Sequence, residues 1–289
     1  MSMPKLPARR PGATPGPRKR FGQHFLEPAW AEKLVAAIAP APSDCFVEVG
    51  PGRGALTAAL ASHAAQVVAI EIDRDLAAGL SRRGLSRTTI IVGDVLKANL
   101  HDLGRRAQYD QPDGRLRLAG NLPFNISSPV LIHILAAQRA GSPFHDATVM
   151  LQREVADRLV AQPGTRGYGP LAIMAAVQAD TTRLLSLPPW AFRPMPRVRS
   201  AVVGLTFRPS PVEIPDYALF EALVRRLFQH RRKMLANALV PFAEQFRVEA
   251  AAWLAHANLD GRRRPETLQL AELARLATAL EAVPERAVL

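Results

Sequence analysis

Residues 120–129 read G-N-L-P-F-N-I-S-S-P and follow a short apolar run, Leu116 to Ala119. An amide, a proline and an aromatic ring stand side by side where a strand should end. Asn121 carries an amide oxygen that accepts hydrogen bonds. Pro123 fixes its own φ and stiffens the chain, and Phe124 offers a flat apolar face. Such a group can clamp a flat ring bearing an exocyclic amine. The plainer alternative is a Pro-containing turn with a core Phe.

A second group lies upstream, in F-V-E-V-G-P-G-R-G-A-L-T at 46–57. It reads as a strand, a glycine turn and a helix start. Gly50, Gly52 and Gly54 let the backbone approach a ligand closely, and a helix start presents free N–H groups. Roughly 20 residues on, Glu71 ends the next strand, where a carboxylate can accept both hydroxyls of a ribose. A nicotinamide-dinucleotide fold uses the same logic. Ala55 stands where that fingerprint places its third Gly, and since Ala is allowed there it counts only mildly against the dinucleotide. Glu48 is either a buried residue satisfying loop N–H groups or a charge near a cationic ligand, and the second reading is favoured. Asp94, after I-I-V-G, can accept from an adenine amino group or cap the turn that follows. The glycine turn, Glu71, Asp94 and Asn121 thus fall at four successive strand ends, on the carboxyl edge where such sheets bind ligands. S-adenosylmethionine fits this ladder better than a dinucleotide.

The elements that would hold these residues alternate. Strands are expected at Cys45–Val49, Gln66–Ile70, Thr89–Val92, Leu116–Ala119, Ala147–Gln152, Thr181–Leu187 and Ser200–Arg208. Helices are expected at Pro28–Ala39, Ala55–His63, Asp75–Ser81, Pro129–Arg139, Glu154–Ala161 and Leu171–Ala179. This pattern predicts an α/β fold with a parallel sheet covered on both faces. Pro188 to Pro196 reads as a Pro-rich aromatic loop. Pro209 to Pro215 reads as a boundary. Beyond it Tyr217–Leu239, Val248–Ala257 and Thr267–Ala282 show helical spacing. The expected division is a disordered basic tail at 1–17, a Rossmann-like domain at 18–209 and a small all-helical domain at 210–289.

Lys and Arg number 37 against 25 Asp and Glu, a net charge of +12. This favours a polyanionic partner, nucleic acid before membrane. Residues 1–20 hold five Pro among Arg and Lys, which spoils the amphipathic helix a mitochondrial presequence needs. No apolar run reaches the roughly 18–20 residues of a membrane span. The single Cys45 excludes a disulfide framework and a Cys-based zinc site, and a reducing cytosol is the expected location. No metal is expected.

Several stretches then carry a specific likeness. R-K-R-F-G-Q-H-F-L, E-V-G-P-G-R-G-A-L-T, I-E-I-D-R-D-L, G-D-V, G-N-L-P-F-N-I-S-S-P and L-Q-R-E-V-A-D-R-L resemble, in that order, the ribosomal RNA small-subunit adenine dimethyltransferases. P-P-W-A-F-R-P-M-P-R-V-R-S-A-V-V and L-F-Q-H-R-R-K-M-L-A-N-A-L extend the likeness from about Arg18 to the C-terminal helices. The resemblance implies a class I S-adenosylmethionine-dependent methyltransferase sheet with a helical C-terminal domain. It implies double N6-methylation of two adjacent adenosines in the 3′-terminal hairpin loop of small-subunit rRNA, within a pre-ribosomal 30S particle and by a monomer. Carried over by motif position, the cofactor residues are His24, Leu26, Gly50, Gly52, Glu71, Asp94 and Asn121. The family often has Asn at the place of His24 and usually Tyr at that of Phe124. Loss of the Tyr hydroxyl leaves stacking intact.

The clamp then acquires roles. Adenine N6 is a poor nucleophile because its lone pair is delocalised into the ring. Asn121 and the Leu122 carbonyl can accept its two N–H bonds, Pro123 aims them, and Phe124 stacks on the base. The target base must be flipped out to reach them. Three basic clusters, Arg18–Arg20, Arg231–Lys233 (expected within a helix) and Arg262–Arg264, suit an RNA grip, with Arg193, Arg197 and Arg199 bordering the entrance. The competing readings are a nicotinamide-dependent oxidoreductase, a non-catalytic RNA-binding assembly or transcription factor, and the large-subunit rRNA methyltransferase of the macrolide-resistance type.

Overall fold

The structure is a computed structural model that describes residues 23–108 and 114–282. The basic tail, including Arg18 to Arg20, lies outside the described residues. At the centre is a strand buried along its whole length, β2 (Cys45–Val49), with a helix before it, α1 (Pro28–Ile38). Its near-continuous apolar run suits a sheet covered on both faces. After the glycine turn come α2 (Ala55–Ala61), β3 (Gln66–Glu71), α3 (Arg74–Arg83) and β4 (Thr88–Val92). The chain continues with α4 (Leu100–Gln108), β5 (Leu116–Asn121), α5 (Ser127–Arg139), β6 (Asp146–Gln152), α6 (Arg153–Leu159), α7 (Pro170–Ala176), β7 (Ala179–Leu187) and β9 (Ser200–Phe207). Two short strands, β1 (Phe25–Leu26) and β8 (Phe192–Arg193), form a separate antiparallel pair.

The seven-stranded sheet has the order β4-β3-β2-β5-β6-β9-β7. Its first five strands are parallel, but β9 runs antiparallel to both β6 and β7, so the expected all-parallel sheet is corrected to a mixed one. The reason is the connection. Residues 188–199 contain no crossover helix, and strands joined without one pair antiparallel. One face of the sheet, with Phe46, Ala119, Met150 and Val202, packs on α1 and α2. The other face, with Val47, Val49, Leu118 and Val149, packs on α4, α5 and α7.

Helix α4 was not expected from the sequence. Gly104 interrupts its Leu100, Leu103, Ala107 stripe, yet a Cβ at 104 would stand 2.5 Å from Leu116 Cδ2. The glycine weakens the helical pattern and permits the close approach. After residue 210 the structure is helical, with α8 (Tyr217–Gln229), α9 (Leu235–Ala243), α10 (Ala250–His256) and α11 (Leu270–Thr278). The expected single helix over Tyr217–Leu239 is broken at His230 to Met234. The Leu235 and Ala236 N–H groups bond to the carbonyls of Arg263 (2.7 Å) and Gly261 (3.0 Å), so α9 starts as a helix of its own. These helices continue the core of the second sheet face through Phe220, Leu227, Leu239 and the fully buried Trp253.

Candidate active site

The strand order decides which side chains meet. Reading across β4, β3, β2 and β5, the carboxyl ends bring Asp94, Glu71, Gly50 and Asn121 into one row. All four line one cleft. His24, Leu26, Gly52, Leu122, Pro123 and Phe124 line it too, so the expected cofactor and clamp residues are brought together, whereas Gly54 lies off the cleft against Leu80.

The glycine turn is shaped by backbone need. Gly52 has φ +58°, a left-handed conformation costly for other residues, and a Cβ there would stand 3.0 Å from the Phe25 ring. Glu71 fixes the same turn: its Oε2 accepts from the Gly52 N–H (3.0 Å) and its Oε1 from the Asp73 N–H (2.9 Å). Burial raises its pKa while these N–H groups oppose the rise. Each carboxylate oxygen keeps a further lone pair for a ligand hydroxyl. Asp94 caps the turn that follows it, one of its two expected roles, its Oδ1 accepting from the Leu96 N–H at 3.0 Å, and it also lines the cleft.

The clamp is tied to the N-terminal segment. Asn121, which lines the cleft, donates from Nδ2 to the His24 carbonyl at 2.7 Å, which leaves Oδ1 as the amide's acceptor. The Leu122 N–H donates to the Met150 carbonyl at 3.2 Å, and Ile126 closes the turn onto the Pro123 carbonyl at 3.1 Å. The His24 ring stands 5.1 Å from Phe124 at 30° and donates from Nδ1 to the Pro194 carbonyl at 2.7 Å. His24 therefore links the cleft, the clamp and the 188–199 connection. The link was not legible beforehand, because the contacts span 97 and 170 residues of chain.

Glu48 is 1% exposed in the middle of the sheet, flanked in register by Ala69 and Ala119. Its Oε2 has no hydrogen-bond partner. It does not satisfy the loop N–H groups, and the first of its two expected roles is set aside for that oxygen. Burial pushes its pKa up to about 8, the nearby Thr57 hydroxyl opposes the rise without a well-formed hydrogen bond, and Glu71 adds to it. A buried carboxyl with one unpartnered oxygen, a glycine-rich turn and a row of acceptors fit a cationic ligand carrying ribose and adenine. S-adenosylmethionine has that chemistry.

Phe25, Ile72 and Met150 are among the lining residues that escaped sequence reading. Ile72 is 44% exposed at the rim beside Glu71 and offers an apolar face to a ring. Its signal was an uncovered apolar residue between two carboxylates in I-E-I-D. The basic clusters are altered. Arg231 to Lys233 lie in the turn between α8 and α9, not in a helix, and Arg231 bonds to Glu266 at 2.9 Å and to the Arg166 carbonyl at 2.9 Å. Arg262 and Arg263 pair with Asp260 and Glu272.

A family model described as ribosomal RNA adenine dimethylase matches residues 16–280. A Burkholderia protein named ribosomal RNA small subunit methyltransferase A is 42% identical over 270 residues, covering 91% of this chain and 92% of the relative. A protein of the same name from Pseudomonas fluorescens is 40% identical, covering 93% and 96%. Among solved structures, a dimethyladenosine transferase from Plasmodium falciparum superposes with a TM-score of 0.68 at 23% identity, covering 88% and 96%. The 23S rRNA methyltransferase ErmE gives 0.64 at 24% identity, covering 89% and 99%. At these identities the two structures establish the shared fold.

Proposed function

The chain belongs to the ribosomal RNA adenine dimethylase family, and we propose that it methylates N6 of two adjacent adenosines in the 3′-terminal hairpin loop of small-subunit rRNA, each twice. The observation that carries the reading is the pinned amide of Asn121, a cleft residue whose Nδ2 is held by the His24 carbonyl and whose Oδ1 is left as acceptor. Relatives of about 40% identity favour the small-subunit substrate over the large-subunit one, for which the likeness is one of fold.

When bound, S-adenosylmethionine supplies an electrophilic methyl group on a sulfonium. Glu71 accepts the ribose hydroxyls, Asp94 the adenine amino group, and Gly50 and Gly52 leave room for the backbone to come close. His24 and Leu26 close the near side. Asn121 Oδ1 and the Leu122 carbonyl take the two N–H bonds of the target adenine, which draws N6 out of conjugation and aims its lone pair. Pro123 holds these acceptors in place, and Phe124, braced by the His24 ring, stacks on the base. The surplus proton leaves to solvent, so no general base is assigned.

The target is an rRNA in a pre-ribosomal 30S particle, met by a monomer in the cytoplasm. Among the described residues no helix is long and apolar enough to cross a membrane. We assign residues 18–209 to the methyl-transfer unit and 210–289 to a helical unit that helps hold the particle. Equilibrium binding tests the cofactor: S-adenosylmethionine should bind and NAD should not, and the reverse would transfer the site to the oxidoreductase reading.

A further inference from the structure

Residues 188–199, between β7 and β9, combine a held backbone with uncovered side chains. The Glu27 N–H donates to the Ala191 carbonyl at 2.9 Å, and the Arg153 N–H to the Arg199 carbonyl at 2.9 Å. Phe25 and Leu26 pair with Arg193 and Phe192, and the Phe192 side chain is fully buried. Yet Trp190 is 63% exposed, Met195 58% and Val198 45%. Isolated exposed apolar residues are ordinary, but three on one tethered segment of nine residues mark an interaction surface. A loop tied down this way has its backbone held in place before any partner arrives.

The position and charge of the segment select the partner. Pro194 accepts from the His24 ring, which lies against Phe124, so the segment borders the mouth of the clamp. Met195 is the next residue, and Trp190 is four residues away, within about 14 Å along the chain. Arg193, Arg197 and Arg199 are interspersed and exposed, and no carboxylate pairs with Arg197 or Arg199 among the described residues. An exposed aromatic face, here Trp190, beside unpaired cations is an arrangement that binds single-stranded nucleic acid, a base stacking while phosphates meet the charges. A base drawn into the clamp leaves its neighbours unstacked on one side. We propose that Trp190 and Met195 form a stacking platform for the unpaired nucleotides flanking the adenosine in the clamp, with Arg197 and Arg199 holding their phosphates. The platform rests on the RNA-methylating reading and adds to it a determinant of which loops are accepted.

The test uses the full chain, a hairpin RNA whose loop carries two adjacent adenosines, and unmethylated small ribosomal subunits. Trp190→Ala should raise KM for subunits roughly 5- to 150-fold, the range of one lost base–aromatic stack. Trp190→Phe should recover most of that loss, and S-adenosylmethionine affinity should stay within about 2-fold in both, well under the roughly 5-fold that 1 kcal/mol represents. Independently of turnover, the hairpin should quench the part of the tryptophan emission that Trp190→Phe removes. Hairpin binding without that quench, or an unchanged KM in Trp190→Ala, overturns the platform. A change in Trp190 emission with intact subunits but not with the hairpin would assign the segment to a protein of the particle, and overturns it equally. Quenching by the hairpin from a chain that transfers no methyl to subunits would support the platform and refute the proposed reaction.

Discussion

Replacing Glu48 by Gln should make the protein more stable at alkaline pH and change it little in acid. The carboxyl is 1% exposed, with Oε2 unpartnered, and its pKa is pushed up to about 8 against an ordinary value of 4.5. The sign follows from proton binding. Between those values the folded chain keeps a proton that the unfolded chain has lost, so stability is fully present below the unfolded pKa and falls as pH rises toward 8. At about 1.4 kcal/mol per pKa unit, the site accounts for roughly 3–4 kcal/mol of lost stability between pH 5 and pH 8. Gln keeps the volume and cannot ionise. The gap in melting temperature between variant and wild type should therefore widen by several degrees from pH 5 to pH 8, at roughly 2 °C per kcal/mol for a chain of this size. Thermal melts without cofactor, across that range, measure it. A gap that stays constant with pH would show that Glu48 is ionised in the folded protein and refute the reasoning. Calorimetry in two buffers of different ionisation enthalpy adds a cofactor arm: a cationic ligand favours the carboxylate, so binding at pH 7 should release a proton in wild type and not in Glu48→Gln.

Other substitutions probe the rest of the site. Asn121→Ala should abolish methyl transfer and also weaken cofactor binding by about 5-fold, since it removes the hydrogen bond to the His24 carbonyl, worth about 1 kcal/mol; isothermal titration and a filter-binding methylation assay read both. Phe124→Ala should lower kcat sharply, and Phe124→Tyr should retain most of it, because the stacking face is kept; steady-state kinetics with subunits decide. Gly52→Ala should cost at least 10-fold in cofactor affinity, because the new Cβ meets Phe25 at 3.0 Å in a left-handed backbone, whereas Gly84→Ala, also left-handed but with nothing within 4 Å, should leave affinity alone.

Residues with local signals were legible in the sequence. The glycine turn, Glu71, Asp94 and Asn121 follow short apolar runs, so their places at strand ends could be read without knowing the fold. Parallel pairing then sufficed to set them in a row. What the sequence hid depends on distant contacts. Antiparallel β9 follows from a connection whose Pro and aromatic residues read as a loop. His24 could be placed near the cofactor by likeness, but its part in joining Asn121 to Pro194 rests on hydrogen bonds between segments far apart in the chain. The break before α9 arises because residues 261–263 compete for the first turn of that helix, while the apolar spacing runs on through it.

The central claim is that the row from Asp94 to Asn121 delivers a methyl group to adenine N6 in small-subunit rRNA. The most direct measurement incubates the protein with methyl-labelled S-adenosylmethionine and unmethylated small subunits, then maps the modified bases by nuclease digestion and mass spectrometry. N6,N6-dimethyladenosine at two adjacent positions of the 3′-terminal hairpin loop, absent with Asn121→Ala, is the expected result. Label in large-subunit rRNA alone, or equal label with Asn121→Ala, would contradict it.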